Sequence, residues 1–230
     1  MFPPFVQSTL RLDGSIRRRF NIGLAVLAVL LAGIPGIAAA EPIRLLAFGD
    51  SLTAGYGLPP DEAFPVQLEA ALRDRGYPVT VLNAGVSGDT TAGAFARLDW
   101  ALTEGPDLVL VALGGNDGLR GVDPGATRES LDAILAKLDA AGLPTLLAGM
   151  YAPPNLGRDY GERFNALFPE LAAHHEVPLY PFFLDGVAAM PGLNQPDGIH
   201  PNAAGVAIIV ERLLPQVIAL IESAGLAPAG

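Results

Sequence analysis

Short apolar runs alternate along this chain with longer segments whose apolar residues recur every three or four positions. The runs at 43–48, 79–83, 107–113, 144–150 and 177–181 predict strands. The segments at 63–75, 90–103, 124–141, 161–175 and 203–223 predict helices. The third run contains Leu108-Val109-Leu110-Val111-Ala112-Leu113, which is apolar on both faces. A strand of that kind is buried from both sides, and strands alternating with helices connect in parallel. The expected fold class is therefore α/β, with a five-stranded parallel sheet covered by helices on both faces. No internal repeat or low-complexity linker breaks the pattern. The longest irregular stretches, 151–160 and 184–194, are expected to shape a cleft.

Residues 1–40 depart from this alternation. Arg17, Arg18 and Arg19 precede an apolar run at 22–34, Pro35-Gly36 ends it, and Ala38-Ala39-Ala40 follows. That order predicts a signal peptide over 1–40, cleaved before Glu41, and a single domain over 41–230. The apolar run falls short of the about 20 residues that span a bilayer. An uncleaved anchor is the competing reading, and no stable membrane anchor is expected. Export to the periplasm or beyond follows.

Removing that segment sharpens the charge. The chain of 230 residues holds 14 Lys+Arg and 24 Asp+Glu, of which Arg11, Arg17, Arg18, Arg19 and Asp13 lie in the first forty. Residues 41–230 thus carry 10 basic and 23 acidic side chains, a net of −13. Such a surface repels phosphate backbones, which argues against nucleic acid as a partner. It also argues against docking on anionic lipid, so a lipid-like substrate is expected to be held by its apolar part. A monomer is expected. Cysteine is absent, which excludes disulfides, thiolate metal sites and a cysteine nucleophile.

In open parallel sheets, ligands bind beyond the carboxyl ends of the strands. Ser51 follows the first run, Gly85 the second and Asn116 the third. Asp197 and His200 lie between the fifth run and the last helix. A serine hydroxyl is a poor nucleophile unless a base takes its proton. His200 is the candidate base, and Asp197, three residues earlier, is placed to hold its tautomer. Oxyanion donors are expected from the Ser51 N–H, the Gly85 N–H and the Asn116 amide. Each piece alone has a plainer reading: Ser51 as a helix cap, Gly85 as a turn glycine, Gly114-Gly115-Asn116-Asp117 as a turn. Their convergence on one rim favours a hydrolase site. Ser87 sits in Gly85-Val86-Ser87-Gly88-Asp89, which lacks the last glycine of a Gly-x-Ser-x-Gly elbow, and is expected to be structural. Asp50 and Asp117 are expected to brace their loops. His174 and His175 read as a solvated helix end, too short of further ligands for a metal.

The strings Gly49-Asp50-Ser51-Leu52, Gly85, Gly114-x-Asn116-Asp117 and Asp197-x-x-His200 resemble, in order, the four blocks of the SGNH (GDSL) hydrolases. The longer strings around them are closest to the exported branch of acyl-thioesterases, lysophospholipases and arylesterases. The resemblance covers essentially all of 43–222. It implies a three-layer α/β/α, flavodoxin-like sandwich. It implies Ser51, Gly85, Asn116 and His200 as signature residues, with Asp197 completing a triad. It also implies hydrolysis of acyl esters or thioesters, lysophospholipids included, without a cofactor or metal. Two rivals remain open: a carbohydrate O-acetylesterase on the same site, and a catalytically silent binding domain. Leu156, Leu184, Val187, Met190 and Leu193 are expected to suit an acyl chain.

Overall fold

The computed structural model describes residues 41–226, so the expected signal peptide at 1–40 lies outside the described residues. Five strands form one parallel sheet: β1 (Ile43–Gly49), β2 (Val79–Gly85), β3 (Leu108–Ala112), β4 (Thr145–Ala148) and β5 (Leu179–Tyr180). Their order across the sheet is β2-β1-β3-β4-β5. The helices are α1 (Ser51–Ala54), α2 (Phe64–Asp74), α3 (Thr91–Leu102), α4 (Gly115–Arg120), α5 (Pro124–Ala140), α6 (Arg158–His174) and α7 (Ala203–Ser223). Helices α2 and α7 pack together on one side, while α3, α5 and α6 pack in succession on the other. This is the three-layer, flavodoxin-like arrangement.

Every residue of β3 and β4 is buried, as two covered faces require. The outer strands differ. β2 exposes Asn83, and β5 is only two residues long. Short or polar edges of this kind resist pairing with another sheet. Helix α7 is long and apolar enough to cross a membrane by composition. Its residues Val206, Ile209, Val210, Leu213, Val217 and Leu220 are instead buried in the core.

The strands and long helices follow the periodicity to within a few residues, with two kinds of exception. Helix α6 begins at Arg158 rather than 161, because Gly157 takes the cap position (φ 87) and Gly161 lies within the helix. Helices α1 and α4 were not expected, since four or six residues are too few to show a period. The segment read as a Gly114–Asp117 turn is the first turn of α4, entered through Gly114 at φ 106.

Strand order reverses direction between β1 and β3, and the crevice beyond that switch point is where open sheets bind ligands. Asp117, 1% exposed, secures that end of the sheet. Its carboxylate accepts from the Thr91 N–H at 2.9 Å, the Thr91 hydroxyl at 2.6 Å and the Thr127 hydroxyl at 3.3 Å. One side chain thus pins α3, α4 and α5 together, more than the local brace expected of it. Asp117→Ala leaves a buried N–H unpaired and is expected to lower the unfolding free energy by roughly 1–3 kcal/mol. Urea denaturation measures this, and a variant as stable as the parent would show that the brace contributes nothing.

Candidate active site

The chain leaves β1 at Gly49 and turns at once into α1. Asp50 caps that helix, its Oδ1 accepting the Leu52 N–H at 3.0 Å. Capping by Asp50 relieves Ser51 of the role and leaves its hydroxyl for other use. Ser51 is 8% exposed and opens on the cleft floor. Its Oγ lies 2.9 Å from His200 Nε2, and His200 Nδ1 lies 2.8 Å from Asp197 Oδ2. An ionised Asp197 accepts the Nδ1 proton, so Nε2 presents its lone pair to the Ser51 hydroxyl. Asp197 Oδ1 also accepts the N–H groups of His200 and Ile199, both at 3.0 Å. Those two backbone bonds, with the imidazole, hold the Asp197 carboxyl down to about 2.

The turn carrying His200 is fastened to the segment that follows Ser51 and its helix. Gln195 N–H donates to the His200 carbonyl at 2.7 Å, closing the turn. Gln195 Nε2 donates to the carbonyls of Tyr56 at 2.7 Å and Pro201 at 3.0 Å. Tyr56 also lays its ring against the imidazole, with centroids 4.6 Å apart. Sequence reasoning passed over Gln195 because its partners are backbone carbonyls, one of them 139 residues away.

Asn116 lies in the first turn of α4, its Nδ2 donating to Asp50 Oδ2 at 3.2 Å. Arg120, one turn further on, donates to the Gly88 carbonyl at 2.7 Å and approaches Asn116 Oδ1 at 3.5 Å. Donor and acceptor neighbours thus fix which way the Asn116 amide faces. Burial lifts the Asp50 carboxyl from 3.8 to about 6, against the pull of the Leu52 N–H and the Asn116 amide.

The expectation for Gly85 needs correction. Its N–H is already taken by Asn83 Oδ1 at 3.0 Å. A Cβ at Gly85 would meet Ala54 N at 2.3 Å, so the glycine lets α1 pack against the end of β2. Gly88, three residues on, has the properties sought. Its φ is +83, it neighbours Arg120, and its N–H has no partner among the described residues. The Ser51 N–H is likewise unpartnered there. Ser87 is exposed in the same turn and bonds to nothing in the triad.

Ser51 and His200 open on a cleft of about 250 Å³. Its walls include Leu119, Met150, Tyr151, Phe182, Leu184 and Ile199, and no Asp, Glu, Lys or Arg lines it. Tyr151 stacks on Phe182 at 4.5 Å, and Asn165 on α6 holds the Ala152 N–H at 2.9 Å. Of the five apolar residues expected there, only Leu184 lines the cleft. Val187 is fully buried, Leu193 packs on the core, and Leu156 and Met190 lie elsewhere. Met150 and Leu119 were missed because Met150 closes the run at 144–150 and Leu119 lies in α4, both outside the long irregular stretches.

Residues 47–208 match the model of the GDSL-like lipase/acylhydrolase family. The chain belongs to that family. It is an ester hydrolase by that membership. It is 42% identical over 178 residues to an esterase, TesA, of Pseudomonas aeruginosa, covering 77% of this chain and 89% of that one. It is 43% identical over 186 residues to thioesterase 1/protease 1/lysophospholipase L1 of Escherichia coli, covering 80% and 88%. The crystal structure of AlinE4, an SGNH-hydrolase family esterase, superposes with a TM-score of 0.68 at 44% identity, covering 84% and 100%.

Asp50 is placed to orient the Asn116 amide. In Asp50→Asn an amide donor would face the Asn116 Nδ2, and turnover is expected to fall about 10²-fold or more with KM little changed. Stability carries a second signature. Native Asp50 titrates near 6 rather than 3.8, so its favourable contribution is full below pH 4 and is lost as pH rises through 6. The stability of Asp50→Asn relative to the parent should therefore rise between pH 5 and pH 7, as read from urea denaturation at each pH. An unchanged kcat would remove the positioning role.

Proposed function

We propose that this chain is an exported serine esterase that cleaves acyl esters and thioesters through an acyl-enzyme. The observation that carries the reading is the continuous hydrogen-bonded line from Asp197 through His200 to Ser51, opening on an uncharged apolar cleft. Ser51 Oγ attacks the acyl carbonyl while His200 Nε2 takes its proton. The same proton then goes to the leaving alcohol or thiol as the tetrahedral intermediate collapses. Water repeats the sequence on the acyl-Ser51 ester and releases the acid. Asp197 stays ionised and steadies the imidazolium. The oxyanion is met by the Ser51 N–H, the Asn116 amide and, in place of Gly85, the Gly88 N–H.

The cleft argues about substrate. Its walls suit a medium or long acyl chain, lysophospholipids included, and an acetyl group would leave most of it unfilled. That weighs against a carbohydrate acetylesterase, and the unbroken hydrogen-bonded triad weighs against a silent binding domain. Export rests on the basic, apolar and small-residue segments within 1–40.

Hydrolysis of p-nitrophenyl esters from acetate to palmitate, by the protein and its Ser51→Ala variant, tests this. Activity is expected to peak beyond acetate and to vanish in the variant. Activity confined to acetate would favour the acetylesterase, and activity surviving Ser51→Ala would remove the nucleophile. Asn116→Ala is expected to lower kcat by about 10²-fold or more, the usual cost of one oxyanion donor. Undiminished turnover in that variant would take Asn116 out of the oxyanion site.

A further inference from the structure

The chain has three histidines, and only one belongs to the triad. The other two meet a third group that the sequence did not suggest. His174 is the last residue of α6 and His175 its cap, while Asp132 comes from α5, 43 residues before His175. His175 Nε2 lies 2.8 Å from Asp132 Oδ1, and the two imidazole rings stand 4.9 Å apart. One donor atom from each of the three residues lies within 4.8 Å of the others.

We propose that Asp132, His174 and His175 bind a divalent transition-metal ion of the zinc class. Tetrahedral zinc holds nitrogen and oxygen ligands at about 2.0–2.2 Å, which sets them about 3.4 Å apart. The trio reaches that spacing by opening its closest contact and drawing in its widest, each by no more than about 1.5 Å. His174 is exposed and Asp132 half-buried, so both have room to turn, whereas the His175 side chain is 11% exposed and already oriented. Two imidazoles and a carboxylate favour zinc, nickel or copper over magnesium or calcium. The carbonyl end of α6 and the acidic surface both favour a cation there. Helix α6 leads into the start of β5, so the site lies at the amino end of the strands, opposite the carboxyl end that carries the cleft. An ion there would clasp α5 to α6 and leave ester hydrolysis alone.

Titration of the purified protein, free of any added histidine tag, with zinc chloride tests this by calorimetry alongside His174→Ala. One ion per chain is expected, with a raised Tm and unchanged ester hydrolysis. His174→Ala, altered only at an exposed side chain, should bind at least about tenfold more weakly and lose the Tm shift. No uptake by the parent protein, or equal uptake by His174→Ala, would overturn the site. Uptake that inhibits hydrolysis and disappears in His200→Ala would place the ion on the triad instead, and would overturn it too.

Discussion

One carboxylate taken out of water holds the reactive rim together. Asp50 stands just beyond the end of β1 with almost no exposed surface. Ionised there, it is costly unless donors surround it. The two it has are the Leu52 N–H, in the first turn of the helix that carries Ser51, and the Asn116 amide, in the first turn of the helix after β3. The need to satisfy one buried charge thus joins the exits of two neighbouring strands. The resulting geometry ties the helix that carries Ser51 to the helix that carries Asn116 through Asp50.

The remaining polar groups of the rim extend the same logic. Arg97 bonds the carbonyls of Gly49 and Ala84 at 2.9 and 3.0 Å, pairs with Asp89 at 2.6 Å and lies over the Phe48 ring. It satisfies the carboxyl ends of β1 and β2 and anchors the segment that carries Gly88. Arg120 is used in a similar way. Eight of the ten basic side chains among the described residues have a carboxylate within 4.0 Å, and Arg120 does not. Its hydrogen bonds go to the Gly88 carbonyl and the Asn116 amide instead, so a cation serves the rim of a strongly acidic protein.

The parts of this design that depend on long repeats or on neighbours in sequence were legible beforehand. Doubly apolar strands, long amphipathic helices and the Asp197–His200 spacing each leave a local imprint. Ser51 was legible by its place after the first strand and by the Gly49-Asp50-Ser51-Leu52 string around it. Helices of one turn or so leave no period, so α1 and α4 passed unseen, and with them Asp50 as the cap. Choosing between Gly85 and Gly88 required knowing that Asn83 bends back onto the Gly85 N–H, a contact that composition does not encode. Asp132 meeting His175, and Gln195 reaching Tyr56, join residues far apart in the chain, where one sequence offers no pairing rule.

The cleft walls come largely from the loops leaving β4 and β5, at 150–154 and 182–189. The proposed nucleophile and oxyanion donors come from the exits of β1, β2 and β3. Apart from the turn at 197–200, the loops that wall the cleft carry none of the groups proposed to move protons or meet the oxyanion. Substitutions, insertions and deletions in them can therefore accumulate over evolutionary time and alter which substrates are accepted while turnover chemistry is inherited intact. A lineage built on this sheet can diversify its diet without reinventing its catalyst.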